Sequence, residues 1–307
     1  MKRSVIQFAG KTFLISLPKA WADSQHIHKG QELEIHPEGS KLIINATMQK
    51  EKRELALSAK DAAWLTADIL SFAYQLGIDE ITITYDKSGI GAILGVKAAQ
   101  LLGFEVIDER PGISIIKNVA SQLEEEYPAL LRRCFYIIEE MGILLVHHAK
   151  KPEREVQDQM RALDLAVNKL TDFCKRTINK QEAHSAIATA TSYTIVRDLE
   201  KIGDCYRDAC LAQNQSVPQR TQSLILNANR FFRLLHSLSY EFSDARANEF
   251  QALSRRLQIE GSVILRNARG EETLLLHNAL SVITLVRDLF GPLYILELSK
   301  RKQKQFA

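Results

Sequence analysis

Shifted by ninety residues, the chain from about Ser121 to Lys302 falls on itself without a gap. Pro128 lands on Pro218, Leu144–Leu145 on Leu234–Leu235, Leu163 on Leu253 and Arg176 on Arg266. Val196–Arg197–Asp198–Leu199 lands on Val286–Arg287–Asp288–Leu289. A register that holds over so many positions marks a duplicated unit and commits more than half of the 307 residues to one architecture used twice. Helical periodicity without a long loop divides each copy into three stretches, Tyr127–Lys150, Glu153–Lys180 and Glu182–Gln213 in the first. Two three-helix units in tandem are therefore expected.

The third stretch carries the strongest charge pattern. Along Val196–Cys210 a helix places Ile195, Leu199, Ile202, Tyr206 and Ala209 on one stripe. Glu200, Asp204 and Asp208 stand opposite, four apart, with Arg197 beside them. Like charges at that spacing cost a helix roughly 0.2–0.5 kcal/mol per pair. Such a face is either solvated or bridged by a cation. The second copy erases the pattern: Phe290 and Tyr294 stand where the first has Glu200 and Asp204, and Ser254 and Gln258 where it has Asp164 and Asn168. Gly291–Pro292 replaces Lys201–Ile202 and predicts a kink. Phe290 and Tyr294, one turn apart, read either as anchors for a protein partner or as core packing.

Residues 1–47 read as short strands. Ser4–Phe8 and Thr12–Ser16 flank the turn Ala9–Gly10–Lys11, and Glu32–His36 and Lys41–Ile44 flank Pro37–Glu38–Gly39–Ser40. A short helix starts near Pro18. The segment is too small to bury a core alone, so dimerisation is expected to complete it. Residues 1–50 carry seven positive and four negative side chains, a net of +3 that equals the charge of the whole chain.

Residues 55–118 read as a small α/β unit. Its expected elements are a helix over Ser58–Leu76 capped by Ser58 with Asp61 at the third position, a strand Glu80–Thr84, a helix Ile90–Leu102, and strands Phe104–Asp108 and Ile113–Ile116. Ser88–Gly89–Ile90–Gly91 reads as a plain capped turn or a phosphate cradle, without the rest of a phosphate-loop signature. Cys134, Cys174, Cys205 and Cys210 lack zinc or disulfide spacing and read as reduced core residues. His147–His148 reads as a packing pair, because neighbours on a helix diverge by about 100°. The opening MKRSVIQFAG turns polar too early for a secretory signal, and no uninterrupted apolar run approaches about 20 residues. A cytoplasmic protein without membrane insertion is expected. No nucleophile with a base and no histidine cluster stands out, so an enzyme is not expected.

The front segment GKTFLISLPKAWADSQHIHKGQELEIHPEGSKLII, with its L-P-K turn and K-G-Q-E-L step, resembles the AbrB/SpoVT family of swapped-hairpin domains. That resemblance implies two chains interleaved into one dimeric β-barrel, with Lys2, Arg3, Lys11 and Lys19 gripping DNA phosphates. The tandem three-helix repeat with E-K-I-G-D near the end of its third helix resembles the PhoU family, whose acid-x-x-x-acid pairs hold metal on an outer face. Asn168 stands where one acid would be, so the resemblance implies at most one divalent ion on Asp164, Glu200 and Asp204, with Asp172 or Asp208 as helpers. As a whole the chain resembles archaeal phosphate-uptake regulators that join the two modules.

The fold class expected is thus multidomain α+β: a swapped-hairpin barrel over 1–50, a small α/β domain over 51–118, and three-helix repeats over 119–214 and 215–307. The function expected is that of a homodimeric DNA-binding transcriptional regulator linked to phosphate homeostasis, its repeats serving as sensor or partner-binding module. The alternative is an adaptor that docks on a phosphate transporter's ATPase or a signalling protein, with the barrel only dimerising.

Overall fold

The computed structural model describes residues 2–8, 10–38, 41–46, 52–59, 66–120, 123–180 and 186–305. By compactness the chain divides into Met1–Lys52 and Arg53–Ala307. The class is mixed α+β, with small sheets at the front and a helical region behind.

The first unit holds two antiparallel hairpins, β1 (Val5–Phe8) with β2 (Thr12–Ile15) and β3 (Leu33–Glu38) with β4 (Lys41–Ala46), and the short helix α1 (Lys19–Ser24). The second hairpin is tighter than its sequence suggests. Pro37 and Glu38 belong to β3, paired with Leu42 and Lys41. Proline is tolerated in this two-stranded ribbon because an edge position asks nothing of its missing N–H. The two hairpins are separate sheets, and no closed barrel forms among the described residues.

The second unit opens with a four-stranded sheet of order β5-β6-β8-β7, built from β5 (Glu54–Ser58), β6 (Glu80–Thr84), β7 (Phe104–Arg110) and β8 (Ile113–Asn118). Helices α2 (Thr66–Gln75) and α3 (Ile90–Ala99) belong to the same unit. The expected helix from Ser58 is corrected here. Ser58 ends a strand parallel to β6, paired with Thr84, because Glu54–Ser58 alternates exposed with half-covered side chains at a strand's period of two. Asp61 lies outside the described residues. Leu70, Tyr74, Ile81, Leu94, Phe104 and Ile116 fill this core, with the Tyr74 ring edge-on to Phe104 at 4.8 Å.

Six helices follow among the described residues: α4 (Tyr127–Lys150), α5 (Arg154–Lys180), α6 (Ala186–Leu211), α7 (Gln219–Tyr240), α8 (Asp244–Leu265) and α9 (Glu271–Gln305). The ninety-residue register survives in three dimensions: α4 and α7 end, and α5 and α8 begin, at equivalent positions. The two copies share one hydrophobic core in which α6 packs along α9 and α4 along α7. The Asn229 side chain packs on Gly142, where a Cβ would stand 2.4 Å from Asn229 Oδ1.

The helix α9 continues through Gly291 and Pro292 to Gln305. Over Glu271–Ser299 it is long and apolar enough to cross a membrane, by length and composition. Leu275, Leu276, Val282, Ile283, Val286 and Leu289 on it are buried in the bundle core.

The register breaks at the end of the second helix. The helix α8 stops at Leu265, equivalent to Lys175, whereas α5 runs five residues further. Those five residues, Arg176–Lys180, reach the small α/β unit. Arg176 is 3% exposed and donates to the carbonyls of Tyr74 at 3.1 Å and Ile78 at 2.5 Å, and to the Asp79 carboxylate. Its guanidinium lies 5.0 Å from the Tyr74 ring centroid and 5.3 Å from that of Phe104. Its repeat mate Arg266 is exposed.

Candidate functional site

On the front unit, Lys2, Arg3, Lys11 and Lys19 are all exposed. The hairpin register separates them. Phe8 pairs with Thr12 at the turn, so Lys11 sits at the tip; Val5 pairs with Ile15 at the open end, where Lys2, Arg3 and Lys19 adjoin the strands. The same register shows how apolar side chains are distributed on the ribbon. Paired residues share a face, so Val5, Ile15 and Phe13 line one side of the ribbon, and Ile6, Leu14 and Phe8 the other. Strands apolar on both faces are normally covered on both. Here these six side chains are 46–71% exposed, and no described residue of the unit is buried.

On the helical unit Glu200 and Asp204 are half-buried, and Asp208 is exposed. The helix α6 is buried on a broad arc that takes in Val196, Asp198 and Gly203 as well as the expected stripe, because α4, α5 and α9 all pack against it. Asp164 and Asp204 meet across α5 and α6 on one guanidinium: Arg207 Nη1 lies 2.9 Å from each, and Nη2 2.8 Å from Asp208. Glu200 is turned the other way, to Lys175, with the Thr171 hydroxyl at 3.3 Å. The expected trio is therefore split between two cations. Arg197 pairs with Asp198 rather than with the acids beside it. Burial pushes the Asp164 carboxyl above its ordinary range, and the bond from Arg207 offsets only part of this.

The chemistry of this patch still suits a hard cation at one edge. Asp164 Oδ1 and Asn168 Oδ1, one turn apart on α5, are buried without a hydrogen-bond partner. Buried oxygens of that kind want a donor or a metal. No group of three or more His, Cys, Asp or Glu side chains with metal-binding geometry occurs among the described residues. In the second copy, Phe290 stacks on Phe250 at 5.1 Å, and Tyr294 lies 5.3 Å from Phe242. These aromatics tie α9 to α8 and its leading turn, which favours packing over partner anchoring.

Two further features are structural. Gly89 takes a φ of +89° to start α3, and a Cβ on Gly91 would stand 2.2 Å from Glu109 Oε1, so Gly91 makes room for the Glu109 side chain. His148 is fully buried between Gln213 O at 3.0 Å and the Glu153 N–H at 3.2 Å, while its neighbour His147 is exposed. Cys134, Cys174 and Cys210 are buried and free, and Cys205 is half-buried; burial pushes the Cys205 thiol up to about 11.

Sequence reasoning passed over Arg207, Lys175 and Arg176, the cations that organise these acids. Arg207 leaves a faint trace, an i, i+3 spacing from Asp204. Lys175 has the same spacing from Asp172, but its bond to Glu200 spans 25 residues, and Arg176 meets Asp79 97 residues away. Comparison with protein-family models, curated proteins and solved structures returns no match to this chain.

Proposed function

We propose that this chain is a dimeric DNA-binding transcriptional regulator whose front hairpins interleave with those of a second copy, its helical repeats serving as the sensing or partner-binding module. The observation that carries the reading is the β1–β2 ribbon, apolar on both faces and uncovered on both, in a unit that concentrates a charge of +3. A second copy would cover the ribbon and gather the cations of both chains on one assembly, as phosphate binding requires. The link to phosphate uptake rests on the resemblance of the repeats.

Mobility-shift titrations with genomic DNA at several salt concentrations test this. Affinity is expected to fall steeply with salt. Because a dimer carries each lysine twice, Lys11→Ala should reduce the log–log slope by roughly 1.8, at about 0.9 per phosphate contact. Absence of binding at low salt by an intact dimer would overturn the reading and leave the adaptor, docking on a transporter ATPase or signalling protein.

We further propose one divalent ion on the first repeat, held through Asp164, Glu200 and Asp204. The orphaned oxygens of Asp164 and Asn168 support it; entry requires Arg207 or Lys175 to yield. Calorimetry with manganese should give one site in wild type and none in Glu200→Ala. A stoichiometry near zero in wild type removes the proposal.

A further inference from the structure

The α4–α7 seam carries an open groove of about 770 Å³, within the range of small-ligand sites, roughly 300–1,000 Å³. Its chemistry is lopsided. Arg132 enters from α4, and Arg230 and Arg233 from α7, around Tyr136, His236 and Tyr240. The His236 ring stacks on Phe135 at 4.8 Å and is met edge-on by Tyr136 at 5.0 Å and Tyr240 at 5.3 Å. The guanidinium of Arg132 lies over Tyr240 at 4.8 Å. The floor is thus a fixed aromatic surface, and its rim is cationic.

Packing alone does not explain this composition. At the positions related by the internal repeat, Arg132, Tyr136, Arg230 and Arg233 correspond to Gln222, Leu226, Glu140 and Ile143. The same helix seam is therefore built in the other half without any of the three arginines or the tyrosine. Nor are Arg230 and Arg233 consumed by their neighbours. Arg233 Nε stands 3.9 Å from Glu139, which is already bonded to His236, and Arg230 stands 3.7 Å from Glu249. Both separations exceed hydrogen-bond length, about 2.7–3.2 Å. Both arginines are more than half exposed and free to turn to an anion.

We infer that this groove binds a nucleoside phosphate, with its phosphates on Arg230 and Arg233 and its base against Tyr136. Guanidinium forks match phosphate oxygens in pairs, and an aromatic wall beside them accepts a base by stacking. A simple inorganic anion would leave the aromatic wall unused. An acidic peptide would likewise leave the aromatic wall unused. The inference does not depend on DNA binding by the front unit.

The test is calorimetric titration of the full chain at low salt with ADP, with inorganic pyrophosphate and with a glutamate-rich peptide. ADP should bind at one site per chain and more tightly than pyrophosphate. The double variant Arg230→Ala/Arg233→Ala should weaken ADP by about tenfold or more, as expected for losing charge-assisted bonds. Tyr136→Leu, which installs the residue type the second copy carries, should weaken ADP several-fold and leave pyrophosphate unchanged. All three side chains are exposed, so the variants should fold as wild type does, which circular dichroism checks. The proposal is overturned by no ADP binding at millimolar concentration, by pyrophosphate or the peptide binding as tightly as ADP, or by ADP binding that ignores the double variant.

Discussion

Replacing Arg176 with alanine should detach the small α/β unit from the helices and lower global stability by about 3 kcal/mol, toward the lower end of the roughly 3–5 kcal/mol expected when one partner of a buried ion pair is removed. The lower end is chosen because Lys180 stays 2.8 Å from Asp79 and keeps that carboxylate paired. What is lost is the fork: the Tyr74 and Ile78 carbonyls lose a donor, and the rings of Tyr74 and Phe104 lose their cation. Arg176→Lys should recover less than half of the loss, since a single ammonium cannot reach two carbonyls and a carboxylate from one point. Urea unfolding followed by circular dichroism gives the stability. Hydrogen exchange should show β6 and β8 opening well before the bundle in the alanine variant and together with it in wild type. A loss below about 1 kcal/mol with unchanged exchange would show that the junction is held by its apolar contacts instead.

The same junction predicts an unusual pH profile, because its two carboxyls are shifted in opposite directions. Asp172, which accepts from Gln75 of α2 at 2.7 Å, is pushed up to about 6 by burial and by Glu200, against the pull of Lys175. A carboxyl raised in the folded state favours folding when protonated, so stability should rise as pH falls from 7 through 6 toward about 4. Asp79 is the reverse. Burial raises it, but bonds from Lys180 and the Arg53 N–H and the charge of Arg176 bring it below the ordinary range. Its contribution is present above the unfolded value near 4 and is lost below it. Stability should therefore peak on the acid side of neutral. Asp172→Asn should flatten the rise and leave the acid loss in place.

These residues also mark where the sequence stops being readable. The six helices were legible because each repeats its apolar positions locally every 3.6 residues; the first was placed at both ends, Tyr127 and Lys150. The strand β5 was not, since five residues at half exposure give a weak alternation and Ser58 mimics a helix cap. Arg176 is the sharper case. Aligned with Arg266 it looks like a residue kept by duplication, yet one is buried under three acceptors and the other is exposed. Internal alignment compares positions, whereas the role of a charge is set by partners that lie far off in the chain. For the same reason Glu200 was found and Lys175, 25 residues away, was not.

Phe13→Asp should convert the proposed dimer into monomer and abolish the proposed DNA binding while leaving the helical content unchanged. In the isolated chain Phe13 is 71% exposed, so a charge there costs the protomer little. In a dimer the apolar ribbon is its own partner's cover, and a twofold interface receives every substitution twice. Truncating a central aromatic anchor costs roughly 2–4 kcal/mol at an interface; two copies, each also bringing a carboxylate out of water, weaken association by at least about 10³-fold. Sedimentation velocity at micromolar concentration reads the oligomer, and mobility shifts read the DNA. Phe72→Asp, on the exposed side of α2 at 59% exposure, supplies the control: it adds the same charge at an equally exposed ring and should leave both readings unchanged. If Phe13→Asp stays dimeric, the ribbon is not the dimer contact. If it becomes monomeric and still binds DNA with wild-type affinity, the pairing of two basic front units is not what makes the grip, because halving the number of phosphate contacts cannot leave either the affinity or its salt slope intact.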